Sequence, residues 1–154
     1  MHRNWYTLVT QDLANLPDFM EYYYDELRKA RLEIEIKNVS LQLSMSTLPG
    51  ITEQRFAHLQ EIESVLNHLN IQLRMIRSVT FMKYLENYNR ALSSRDAERY
   101  VDGEPDVIDM ESLVNEVALL RNRYLGILKG LETKNFMLGH LTKLKCAGME
   151  DFIL

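Results

Sequence analysis

The chain has 154 residues and carries 22 acidic against 18 basic side chains, for a formal net charge of −4. That length admits one or at most two domains with a substantial core, and the acidic balance runs against the basic charge usual in phosphate binders. The single cysteine, Cys146, excludes an intrachain disulfide framework and suits a reducing compartment.

No apolar run reaches the roughly 18 residues of a membrane span, and Met1 to Tyr6 carries no signal-peptide core. The expectation is a soluble intracellular protein. Three prolines and six glycines in the whole chain, with apolar residues at helical spacing, make it all-α.

In chain order, Asn4 to Leu16 reads as a short amphipathic helix or arm bearing Trp5. Pro17 suits the first turn of a second helix, with Asp18 and Glu21 at its positive end. Tyr22, Tyr23 and Tyr24 are consecutive and cannot share one helical face. That helix is read as fraying toward Ser44, although Ile34, Ile36, Val39, Leu41 and Leu43 alternate enough to admit a short strand. Leu48-Pro49-Gly50 is read as its end, because proline disfavours α geometry in the residue before it and glycine permits a turn. Residues 1–48 are therefore taken as an N-terminal helical arm and residues 49–154 as a long-helix core, together one cooperative unit.

Thr52 is a candidate N-cap for a long helix running to about Ala91. At about 100° per residue, Arg74, Arg77, Phe81, Tyr84 and Tyr88 share one stripe, and Val65, Leu69, Ile76 and Val79 fall on roughly the opposite side. Guanidinium groups between rings are how sequence-tolerant single-strand binders work, since every base has a π-face and every nucleotide a phosphate. The alternative is that the rings form a second helix interface and the arginines snorkel past them.

Charge is unevenly distributed. Residues 68–95 hold Arg74, Arg77, Lys83, Arg90 and Arg95 against Glu86 alone, residues 96–116 hold eight acids against Arg99 alone, and residues 117–145 hold six basic residues against Glu132 alone. Two basic helices flanking an acidic connector can equally reflect pairing inside the fold.

Ser94 with Asp96 restarts a helical turn, Gly103 and Pro105 mark a loop, and the last helix begins near Val107. Along it Met110, Leu113, Val117, Leu120, Tyr124, Ile127 and Leu131 follow each other at spacings of three and four. Lys134 interrupts this seam and Leu138 resumes it. A seam of this kind needs a partner helix, either in the core of a small bundle or in another copy of the chain. Gly126 and Gly130 put a bare strip of backbone on one face, and Cys146-Ala147-Gly148 ends the helix. The histidines His58, His68 and His140 lie at no ligand spacing, and no nucleophile motif or phosphate-binding glycine loop is present. Neither an enzyme nor a metal or other cofactor is expected.

Leu48-Pro49-Gly50, Arg55-Phe56, the run Lys83, Leu85-Glu86 and Tyr88, the acidic glycine-containing loop, and Leu131 through Phe136 together resemble the UvsY family of recombination mediators from T4-like bacteriophages. The resemblance covers about residues 34–148. It implies an all-α protein that oligomerises through a coiled-coil-like C-terminal helix and binds single-stranded DNA. It further implies loading of a phage recombinase onto DNA covered by the phage single-strand-binding protein, in the host cytoplasm. Joined to the stripe, it makes Arg74, Arg77, Phe81, Lys83, Tyr84, Tyr88, Arg90 and Lys134 candidate nucleic-acid contacts. The seam residues Met110 to Leu131 with Leu138 become candidate oligomer contacts. The other reading is a non-enzymatic helical structural or adaptor protein of a phage particle or assembly, contacting protein only.

Overall fold

The computed structural model describes residues 4–36, 40–87 and 92–149. Among them there are five α-helices and no strand: α1 (Trp5–Gln11), α2 (Leu16–Ile34), α3 (Leu41–Asn87), α4 (Ser94–Asp102) and α5 (Pro105–Cys146), with a 3-10 turn at Leu13–Asn15. The all-α expectation holds.

Helix ends follow local chemistry. The Asn4 side chain accepts a bond from the Thr7 N–H at 3.0 Å to start α1. Ser93 caps α4, accepting from the Asp96 N–H at 3.2 Å while its hydroxyl donates to the Asp96 carboxylate at 2.6 Å. Pro105 occupies the first position of α5, where its missing N–H costs no intrahelical bond. Gly148, at φ +73°, terminates α5 in a Schellman motif, in which Met149 N–H donates to Leu144 O and Gly148 N–H to Lys145 O, both at 3.1 Å.

The expected break at Leu48-Pro49-Gly50 is absent: Pro49 lies nine residues into α3 and the helix runs through it. Proline removes only the bond its own N–H would make to Met45 O. Thr52 is accordingly no N-cap, and its hydroxyl donates back to Leu48 O at 2.9 Å within the helix.

By contact the chain divides into two compact units, one made of residues 1–16 and 61–119, the other of residues 17–60 and 120–154. The division falls within α3 at residues 60 and 61 and within α5 at residues 119 and 120.

The first unit buries Trp5 and Val9 of α1, Ile62, Val65, Leu66 and Leu69 of α3, Ala97 and Val101 of α4, and Val107, Met110 and Val117 of α5. Tyr6 N–H donates to the Glu61 carboxylate at 3.1 Å, tying α1 to α3. In the second unit Phe19, Tyr23 and Leu27 of α2, Leu48 and Leu59 of α3, and Leu120, Tyr124, Ile127, Leu131 and Leu138 of α5 are buried. Tyr23 meets Phe19 and Tyr124 edge-on, and the Tyr124 hydroxyl donates to Tyr23 O at 3.1 Å.

Candidate interaction surface

In the second half of α3 the structure reverses the expected faces. Arg77 donates to Asp102 of α4 at 2.5 Å and to Glu111 of α5 at 2.8 Å. Phe81 is half-buried, and with Arg77, Ser78, Glu98, Val101 and Asp102 it lines a cleft of about 320 Å³. Tyr84 stacks on Tyr100 of α4 with ring centroids 5.3 Å apart, and its hydroxyl donates to Glu104. Lys83 is exposed, 3.8 Å from the same Glu104 carboxylate. Arg74 is exposed and makes no ion pair among the described residues. Tyr88 and Arg90 lie outside the described residues.

The aromatic side of this helix is therefore an interface with α4 and α5, held by carboxylates of the acidic connector. Neutralised guanidinium and occupied rings leave little to receive a phosphate or a base.

The opposite side is bare. Val65 and Leu69 are buried as expected, but farther along α3 Ile71, Met75, Val79, Met82 and Leu85 are exposed, Val79 at 71%. Their spacings of four, four, three and three place them in one stripe about 120° wide. Arg74 and Lys83 are exposed beyond opposite edges of this stripe, about 180° apart around the helix. Continuous apolar surface of this kind on one helix face marks a contact site.

The residues expected at an oligomer contact lie largely inside the chain. Met110, Val117, Leu120, Tyr124, Ile127, Leu131 and Leu138 are buried within the chain, and Leu113 is half-buried. The seam found its partner helices intramolecularly, and no second copy can use these side chains without unpacking the core.

Lys134, assigned to nucleic acid from sequence, is buried among them. Its ammonium donates to Glu33 O at 2.7 Å and Glu35 O at 2.9 Å. These carbonyls flank the end of α2, where unpaired oxygens and the helix dipole favour a cation. That explains a lysine in an apolar seam.

Sequence reasoning missed a buried ionic cluster in the second unit. Arg55 of α3 donates to Glu26 at 2.8 Å and to Glu33 through Nε at 2.8 Å and Nη2 at 2.5 Å. The His58 Nδ1 lies 3.3 Å from Arg55 Nη1, and its ring meets Tyr23 edge-on. Burial pushes the Glu26 carboxyl up, but hydrogen bonds from Lys29 and Arg55 more than offset it and hold Glu26 below the usual carboxylate range. The hydrogen bonds from Arg55 to Glu33 and Glu26 raise Arg55 further, and burial raises the Tyr124 hydroxyl. The available signal was the spacing of Glu26 and Glu33, seven residues apart and so on one face of α2.

The second unit also carries an open apolar groove of about 800 Å³ between α3 and α5, with Met45, Leu48, Phe56, Leu125, Leu128 and Leu131 among its lining residues. Among the described residues no three His, Cys, Asp or Glu side chains are grouped to hold a metal ion. No described helix is long and apolar enough to cross a membrane. Compared with family models, curated proteins and solved structures, the chain matches none, so the resemblance to the UvsY family rests on the quoted residues alone.

Proposed function

We propose that this chain is a non-enzymatic helical adaptor or structural protein that works by contacting protein, through the apolar stripe of α3. One observation carries the reading. Arg77 and Tyr84 are already engaged by Asp102, Glu111 and Glu104, while Ile71, Met75, Val79 and Met82 on the other side of the same helix face outward. A single-strand binder needs open cations and open rings, and the exposed side of this helix offers methionines and branched aliphatics. Flexible, polarizable methionine is frequent on surfaces that accept partner helices.

The test is fluorescence anisotropy of a labelled single-stranded oligonucleotide titrated with the full chain at about 50 mM and about 200 mM salt. The expected outcome is no saturable binding at either salt. Saturable binding that weakens with salt, and weakens again in Arg74→Ala, would overturn the adaptor reading in favour of a single-stranded-DNA-binding recombination mediator.

A further inference from the structure

We propose that His58 is an acid-sensitive latch in the second unit. While its ring is neutral it holds α2 against α3 and α5, and a proton on the ring loosens α2.

The side chain sits where the three helices meet. His58 of α3 is 3% exposed, with Tyr22 and Tyr23 of α2 and Tyr124 of α5 edge-on to its ring at centroid distances of 6.4, 5.4 and 6.1 Å. One residue thus touches both neighbouring helices.

The tautomer follows from the group that faces it. His58 Nδ1 lies 3.3 Å from Arg55 Nη1, and a guanidinium can donate a hydrogen bond but never accept one. Nδ1 therefore presents its lone pair, and the neutral ring carries its hydrogen on Nε2. A proton added at Nδ1 sets donor against donor and cation against cation in a buried site, and both burial and the like charge disfavour it.

The surrounding charges do not compensate. Arg55 is 2% exposed and donates to Glu26 and Glu33, and Lys29 also donates to Glu26, at 2.6 Å. Lys134 of α5 adds a further cation where it donates to Glu33 O and Glu35 O at the end of α2. Arg55, Lys29 and Lys134 thus outnumber Glu26 and Glu33 before His58 takes any proton. Moving the protonated ring away from Arg55 relieves the repulsion, and that movement breaks its contacts with Tyr22 and Tyr23 of α2.

Acid is the trigger, by linkage. A histidine of the unfolded chain takes up its proton near pH 6.5, about the ordinary value. The folded chain resists that proton, so the unfolded state binds more protons below this pH and stability falls as acid is added. The effect precedes the loss of charge at Glu26, whose carboxyl is held below its ordinary 4.5.

Two measurements on the full chain test the latch. In long-range proton–nitrogen correlation spectra of the imidazoles, the signal that disappears in His58→Asn belongs to His58. It is expected to show the Nε2–H tautomer at about pH 7.5 and to stay neutral in the folded chain at about pH 5.5. Hydrogen exchange read by mass spectrometry, corrected for the intrinsic pH dependence of amide exchange, follows the helices one by one. Between about pH 7.5 and pH 5, α2 is expected to lose up to about thirtyfold in protection, the factor by which a histidine of ordinary affinity outbinds one kept neutral. Helices α1 and α4 of the first unit lose less. In His58→Asn, whose amide oxygen can still accept from Arg55 but takes no proton, α2 is expected to stay within about threefold over the same range. His58→Gln is the second non-titrating variant, should the first fail to fold. A His58 signal that titrates near pH 6.5 in the folded chain overturns the inference. So does an α2 that loses as much protection in the non-titrating variant as in the wild type. Equal losses in every helix overturn it as well, because the proton would then act on the whole fold and not on α2. Neither measurement bears on the apolar stripe of α3, which lies in the first unit.

Discussion

Which side of α3 faces inward can be decided by comparing Tyr84→Ala with Val79→Ser. Tyr84 stacks on Tyr100, an arrangement worth about 0.5–1.5 kcal/mol, and donates to the Glu104 carboxylate, worth about 1 kcal/mol at a half-buried site. With part of the ring's apolar area lost as well, Tyr84→Ala is expected to cost about 2–3 kcal/mol in total. At a urea slope of about 2 kcal/mol per molar for a chain of this size, that lowers the unfolding midpoint by about 1–1.5 M. Val79 is 71% exposed, so Val79→Ser is expected to change stability by no more than about 0.5 kcal/mol. Urea denaturation followed by circular dichroism reads both. A double-mutant cycle of Tyr84→Phe with Glu104→Gln isolates the hydroxyl–carboxylate coupling, expected near 1 kcal/mol. If Val79→Ser proved the costlier change and Tyr84→Ala fell within about 0.5 kcal/mol of wild type, the aromatic side would be the open one and the adaptor reading would lose its support.

Two other expectations concern the second unit. Arg55→Met strands the Glu26 and Glu33 carboxylates and is expected to cost at least about 3 kcal/mol at neutral pH in urea denaturation. Because Glu26 is held below its ordinary 4.5 in the folded wild type, its contribution is present above that pH and fades as pH falls through the lowered value. In the variant, acid neutralises the stranded charge, so the gap to wild type should narrow below pH 4.5; a gap that widens there would refute the cluster's role. In α5, a Cβ at Gly126 would meet nothing within 4 Å, whereas one at Gly130 would lie 2.7 Å from Ile34 Cδ1. Gly126→Ala is therefore expected to stabilise by about 1 kcal/mol through helix propensity, and Gly130→Ala to lose that gain to crowding; equal thermal midpoints for the two variants would contradict the close approach.

The sequence by itself determined the all-α class and the ends of α4 and α5, because periodicity, capping residues and a terminal glycine act within a few residues of one another. It did not place the junction between α2, which ends at Ile34 and not near Ser44, and α3, which begins at Leu41 and not at Thr52. Ser93 with Asp96, Pro105 and Gly148 all sit at or within a residue or two of the expected boundaries. The seam of α5 was legible as a buried ridge for the same reason, although its spacing could not say whose helix would cover it. Pro49 misled because its local penalty was outweighed by the packing of the helix around it, a non-local effect. The choice of face in α3 was not legible at all: apolar side chains lie on both sides of its second half, so local pattern favours neither. Tertiary structure made that choice by bringing Asp102, Glu104 and Glu111, between 20 and 34 residues away in the chain, against Arg77 and Tyr84. Pairing of charge across such separations depends on where the connecting helices lie. The open apolar stripe and the closed aromatic one are therefore properties of the fold, not of the helix that carries them.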